Sequence, residues 1–346
     1  MTASMLDIEQ PEQLDTYLRI NGQVTADERI GIELLAGGVS NRTVLVSFAD
    51  GRQWVMKQSL EKLRVAVDWF SDPARIEREV QGLRWLPKLA PPGTITPLVF
   101  EDRRHHLFAM QAVPQPHDNW KTLLLAGTID LNLVQQFGVL LATIHRRAES
   151  HRSTLAQEFS DRSFFETLRL EPYFTFAAGQ VASAAEFLNR LVEETRSRND
   201  SLVHGDYSPK NILIHQHKLV LLDHEVIHWG DPAFDLGFSL THFLSKAHHL
   251  PTYRQQFAVA ADRYWQVYLE TLGNVPWADD LAHRVVRQTL GCLLARVAGR
   301  SPLEYLDDHE RARQRHVVLD LLPMPPTNVE DLVVDFLAGV DRYAHD

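Results

Sequence analysis

A chain of 346 residues with 45% hydrophobic and 23% charged residues has an ordinary globular composition and room for two lobes, each with its own core. A net charge of −10 leaves no basic stripe to neutralise a phosphate backbone, which argues against a nucleic-acid partner. A single cysteine, Cys292, excludes an intrachain disulfide and fits a reducing compartment.

The first residues, MTASMLDIEQPEQ, lack the basic region and apolar core of a secretory signal. No apolar run approaches the ~20 residues needed to cross a bilayer. The expected location is cytoplasmic, without a membrane partner. Residues 8–20 predict a short helix with Leu14, Tyr17 and Leu18 on one side. Residues 30–57 then read as three strands, and an Asp50-Gly51 turn between two alternating runs predicts a hairpin.

Gly37, Gly38, Val39, Ser40 and Asn41 form the loop between the first two strands. A loop of glycines and small residues lets backbone N–H groups approach phosphate oxygens, and this one precedes a strand-borne lysine, Lys57, by about twenty residues. Pro73 opens a helical pattern carrying Ile76, Val80, Leu83 and Leu86, with Glu77 and Glu79 as its acids. Two further strands follow, ending in Gln111-Ala112-Val113, and Pro114 and Pro116 stop the second one. The expected boundary falls there, giving lobes of residues 1–115 and 116–346.

Residues 131–147 predict a buried helix in which His145 packs or caps. Residues 162–198 predict more helix, broken at Glu171-Pro172, with no chemistry assigned. After residue 234 the chain reads as helical to its end. His242, His248 and His249 lack the cysteine or carboxylate company of a zinc site. Glu304, Asp307, Asp308 and Glu310 read as a solvated acidic run.

The stretch SLVHGDYSPKNILIHQHKLVLLDHEVIHWGDPAFDLG, residues 201–237, carries the chemistry. Two short apolar runs flank a polar turn, and this hairpin brings Asp206 and Asn211 near Asp223 at its exit. Two acids and an amide at strand ends suit a magnesium–phosphate site, because Mg²⁺ takes hard oxygen ligands and leaves room for phosphate oxygens.

HGDxxxxN followed by a strand-end Asp resembles the protein-kinase-like phosphotransferases. HGD in place of HRD, with the GDPAFDLG run containing Asp235, resembles the aminoglycoside phosphotransferase and choline kinase branch, which phosphorylates small molecules. The resemblance implies an α+β, bilobal protein-kinase-like fold, with a small β-rich lobe hinged to a larger helical one. It implies ATP and Mg²⁺ as cofactors and a small-molecule hydroxyl compound as partner; a homodimer is compatible with it.

Residue by residue, the resemblance makes Asp206 the catalytic base, Asn211 and Asp223 metal ligands, and Lys57 the contact to the α- and β-phosphates. It makes Glu79, rather than Glu77, the partner of Lys57. Gln111 and Val113 become hinge residues whose backbone faces adenine. The segment LRV…W…RIE after Lys57, Glu225 in DHE, and Arg296 in GCLLAR are similar to features of 5-methylthioribose kinases. There the acid supports a second metal or its water, and the arginine reaches the sugar. Asn211 departs from that subgroup, many of whose members lack the asparagine, so aminoglycoside, choline and homoserine remain alternative acceptors. A catalytically inactive nucleotide-binding module is the alternative of another class. A protein kinase is disfavoured, because GDPAFDLG follows Asp223 too closely to leave a peptide-docking loop.

Overall fold

The computed structural model describes residues 6–35, 38–64 and 68–343. Strands β1 (Ile30–Leu34), β2 (Asn41–Phe48), β3 (Gln53–Ser59), β4 (Leu98–Asp102) and β5 (Leu107–Gln111) form one antiparallel sheet in the order β1-β2-β3-β5-β4. Helix α1 (Pro11–Ile20) buries Leu14 and Leu18 against Val44, Val46, Met56 and Ala109. Helix α2 (Arg75–Leu89) buries Ile76, Val80 and Leu83 with Phe108 and Met110.

Strand side chains alternate between faces, so Met56 and Ala109 point to α1 while their neighbours point to α2. Lys57 pairs across the sheet with Phe108. It therefore shares the α2 face, and the two-residue period alone aims its ammonium at that helix.

The rest of the chain is mainly helical. A two-residue strand β6 (Asp118–Asn119) leads into α3 (Trp120–Leu125), α4 (Leu131–Glu149), α5 (Arg152–Glu158) and α6 (Ser163–Phe165). A π-helical segment, Glu166–Thr175, continues into α7 (Phe176–Gln180) and, after a 3₁₀ turn, α8 (Ala185–Ser197). The sequence predicted a break at Glu171-Pro172. The chain instead stays helical there in wider turns, since Pro172 has no N–H for the ordinary i→i−4 ladder.

Strands β7 (Ser201–Val203), β8 (Ile212–His215), β9 (Lys218–Leu221) and β10 (His228–Gly230) make two small sheets, β10-β7 and β6-β8-β9. The expected hairpin is β8–β9, and Gln216 and His217 take positive φ at its turn. Helices α9 (Ala233–His249), α10 (Arg254–Leu272), α11 (Leu281–Ala298), α12 (Asp308–Leu321) and α13 (Val329–Arg342) complete the fold.

Helix α9 is buried on every side from Ala233 to His248 and is the axis of the helical part. Its close approach to α11 needs Gly237, where a Cβ would lie 2.7 Å from the backbone nitrogen of Thr289. Among the described residues, no helix is long and apolar enough to cross a membrane. The architecture is α+β and bilobal, of the protein-kinase-like type.

Candidate active site

Lys57 is almost fully buried, and its Nζ lies 2.7 Å from Glu79 Oε1 while also contacting Asp223 Oδ1. Burial works to lower the Lys57 pKa, but Asp223 and Glu79 outweigh it and hold the ammonium charged. Burial pushes the Glu79 carboxyl up to about 7 against the pull of Lys57, and Asp223 and Glu225 add to that rise. Burial would raise Asp223 as well; there Lys57 prevails, and the carboxyl falls well below its usual range. Glu77, two residues after Arg75 and on the more exposed face, reaches Arg103 at 3.7 Å instead. Asp223 has φ of 61°, a left-handed conformation that is costly for a residue with a Cβ and recurs at functional sites.

The HGD loop is held by the buried carboxylate of Asp235. Its oxygens accept the backbone N–H groups of His204 at 2.7 Å and Gly205 at 2.8 Å. Gly205 has φ of +78°, and a Cβ there would lie 2.9 Å from Val226 Cγ2, so an arginine in this position would strain the loop. The N–H of Asp206 donates to His204 Nδ1 at 3.2 Å, which makes Nε2 the protonated nitrogen, facing His224 Nδ1 at 3.1 Å. Burial lowers the pKa of both histidines, so they brace the loop as neutral rings.

Asp206 Oδ2 accepts from Asn211 Nδ2 at 2.7 Å and is paired with Arg169 Nη2 at 2.9 Å. With Nδ2 so committed, Asn211 keeps its carbonyl oxygen for a cation. Lys57 engages only one oxygen of Asp223. These are hard oxygen donors of the kind Mg²⁺ accepts, with phosphate and water completing the shell. Among the described residues, no three His, Cys, Asp or Glu side chains converge as a self-sufficient metal cage.

Glu225 is tied to the glycine loop. Its Oε1 accepts from Ser40 Oγ at 3.1 Å, and its Oε2 faces Asn41 Nδ2 at 3.4 Å and Arg75 Nε at 3.2 Å. Arg75 is wholly buried and also donates to the carbonyls of Ser40 and Leu60. One guanidinium thus joins the start of α2, the glycine loop and the DHE segment. Of the loop residues named from the sequence, Gly37 lies outside the described residues.

A cleft of about 930 Å³ opens between sheet and helices, lined by Gly38, Ser40, Asn41, Lys57, Gln111, Val113, Asp206, Asn211, Asp223, Glu225 and Arg296. Glu79 lies behind Lys57, outside that lining. Arg296 Nη1 donates to Tyr173 OH at 3.3 Å and to Ser301 Oγ at 2.9 Å.

Arg169, His242 and Glu304 line the cleft without a role there in the sequence reading. Arg169 sits in the segment read as chemistry-free; its π-helical turns lay no recognisable pattern on the sequence. His242 was weighed only as a zinc ligand. Glu304 is solvent-exposed, as expected, and also lines the rim of the cleft, where it pairs with Lys121. The other acids of that run cap α12 through Asp307 and pair Glu310 with His249 at 2.8 Å.

The model of the phosphotransferase enzyme family, the aminoglycoside phosphotransferase type, matches residues 31–271. The chain belongs to that family and is a small-molecule kinase. Comparison with curated proteins gives no match.

Among solved structures, the chain is similar to a type I macrolide 2'-phosphotransferase, with 17% identity and a TM-score of 0.51 over 91% of this chain and 99% of that one. An amicoumacin kinase solved with AMP-PNP and Ca²⁺ aligns with 14% identity and a TM-score of 0.55, covering 87% of this chain and 91% of the other. An ethanolamine kinase from Plasmodium vivax gives 11% identity and a TM-score of 0.54, covering 98% and 91%. At these identities the likeness is one of fold.

Proposed function

We propose that the protein transfers the γ-phosphoryl group of ATP, with Mg²⁺, to a hydroxyl of a small polyol or sugar. A methylthioribose-like pentose is the leading candidate. Residues 1–115 serve as the nucleotide-binding lobe and 116–346 as the catalytic and acceptor-binding lobe. The observation that carries the reading is the convergence of Lys57, Asp206, Asn211 and Asp223 on one cleft.

The acceptor oxygen attacks the γ-phosphorus, the bond to the β–γ bridging oxygen breaks, and ADP leaves with that electron pair. Asp206, held by Asn211 and Arg169 at Oδ2, takes the hydroxyl proton. Lys57, held by Glu79, binds the α- and β-phosphates. Asn211 and Asp223 would hold Mg²⁺, which would neutralise charge on the phosphates, and Glu225, seated on Arg75, would support it. Gly38, Ser40 and Asn41 close over the phosphates, and the backbone at Gln111 and Val113 meets adenine. Arg296 donates hydrogen bonds of fixed geometry to vicinal hydroxyls, which a lysine cannot do equally.

The test offers methylthioribose, ribose, choline, homoserine and kanamycin separately with Mg-ATP, to the wild type and to Asp206→Asn. A pentose should be phosphorylated, and the variant should lose about 10²- to 10⁴-fold in turnover while binding nucleotide normally. Turnover of choline or kanamycin with both pentoses inert would sink the sugar reading. Nucleotide binding without phosphorylation of any acceptor would favour the inactive module.

A further inference from the structure

The acceptor end of the cleft is lined by the buried guanidinium of Arg296, while Lys246 is buried nearby outside that lining. Arg296 and Lys246 are both buried, and neither forms an ion pair among the described residues. All three hydrogen bonds of Arg296 leave from Nη1, and its buried Nε has no partner. Lys246 lies one turn beyond His242 on α9. Its Nζ donates only to the His242 carbonyl, at 3.3 Å, and stands 5.3 Å from the Tyr305 ring. The carboxylate lining this end, Glu304, is already paired with Lys121.

Buried charges in folded proteins are ordinarily paired or metal-bound. Burial, with Lys121 and Arg296 nearby, drives the Lys246 pKa down to about 7 despite Glu304, the response of a cation without a counter-ion. His242 adds a second, independent sign. It lines the cleft, is only 5% exposed, and its Nε2 has no hydrogen-bond partner.

We propose that the acceptor polyol carries an anionic group, a carboxylate or a phosphate, that seats against Arg296 and His242. The inference rests on the kinase reading above; it narrows the polyol or sugar class to acids and so sets aside the neutral pentose as the preferred acceptor. The seat is one aromatic ring away from the reacting centre. Tyr173 has the Arg296 guanidinium 5.5 Å from its ring centroid and that of Arg169, which holds Asp206, at 5.8 Å. An acceptor spanning that ring presents its hydroxyl to Asp206 and keeps its anionic group clear of the catalytic carboxylates. A quaternary amine or an aminoglycoside would instead bring like charge to Arg296.

The experiment compares acceptors of one carbon skeleton that differ in charge: ribose and ribitol against ribonate and ribose 5-phosphate. It reads kcat/KM with Mg-ATP, and equilibrium binding to the protein saturated with AMP-PNP. A charge-assisted hydrogen bond is worth about 1.5–3 kcal/mol, so at least one acid should be preferred by about tenfold or more. Ribonate against ribose 5-phosphate tells carboxylate from phosphate. Arg296→Gln should collapse the ratio of acid to neutral acceptor, and Arg296→Lys, which keeps the charge, should retain most of it. Equal or better use of the neutral pentoses overturns the anionic acceptor and leaves the sugar-kinase reading standing. Acids that neither bind nor react overturn it as well. Turnover of choline or kanamycin alone in the same assay removes both.

Discussion

Arg169 Nη2 lies 2.9 Å from Asp206 Oδ2, and the same guanidinium donates through Nε to the Gly205 carbonyl at 2.9 Å. The arginine comes from the π-helical segment, and burial of its charge is offset first by Asp206. It grips both the backbone and the side chain of the HGD loop, sharing the Oδ2 of Asp206 with Asn211. Arg169→Met should therefore lower kcat by about tenfold or more, the scale of one charge-assisted hydrogen bond. Nucleotide affinity should stay within about twofold, since Arg169 contacts neither Lys57 nor Asp223. An unchanged kcat, or a loss confined to nucleotide binding, would show that Arg169 does not position the base.

Glu79 and Lys57 form a buried pair, and removing one member leaves an uncompensated charge. Because Asp223 also holds Lys57, the loss is shared rather than complete. Glu79→Leu is expected to cost about 3 kcal/mol in urea unfolding and to weaken nucleotide binding by about tenfold. Replacing Glu77, which meets only exposed Arg103, should do neither. A Glu77 variant as damaging as the Glu79 one would reverse the assignment.

The local pattern made the small sheet legible, because two-residue alternation and the Asp-Gly turn both act within a few residues. The HGD-to-DLG stretch was legible for the same reason: its hairpin folds Asp206, Asn211 and Asp223 together over short range. What the sequence hid is long-range. Nothing near Arg169 announces that a π-helical turn will carry it 37 positions along the chain to Asp206. Asp235 looked like one more acid of the set, yet its oxygens are spent on backbone N–H groups of the loop. Glu304 is 62% exposed, as the solvated reading expects, but its pairing with Lys121, 183 residues away, is not legible in the sequence.

Asp223 is the proposed metal ligand; it has a left-handed backbone, and its carboxylate contacts Lys57. In Asp223→Ala the affinity for nucleotide should lose its dependence on Mg²⁺, while affinity measured in EDTA should change by less than about threefold. Titrating nucleotide into both proteins with and without Mg²⁺ gives the answer. A variant whose affinity still rises with Mg²⁺ as in the wild type would place the ion elsewhere.

His228 offers a test of how burial couples folding to pH. Its ring stacks on Phe165 with centroids 4.0 Å apart, and its Nδ1 donates to the Val226 carbonyl at 3.0 Å. Burial pushes its pKa down to about 4, with Arg162 and Arg78 adding to the fall and the Val226 hydrogen bond and Asp235 opposing it. In the unfolded chain the ring titrates near 6.5. Between those values the unfolded state binds a proton that the folded state refuses, so stability rises with pH and is lost as pH falls from about 6.5 toward 4. Other buried groups titrate in the same window, some in the opposite sense; Glu79, raised to about 7, and Asp231, raised to about 6, are two of these. A comparison with His228→Asn cancels them, since asparagine keeps a donor for Val226 and loses the titration. The wild type should fall away from the variant by about 1.4 kcal/mol per pH unit below 6.5, reaching roughly 3 kcal/mol near pH 4. Urea midpoints of the two proteins at pH 7, 5.5 and 4.5 measure the divergence. Parallel curves would mean that His228 is protonated in the folded protein.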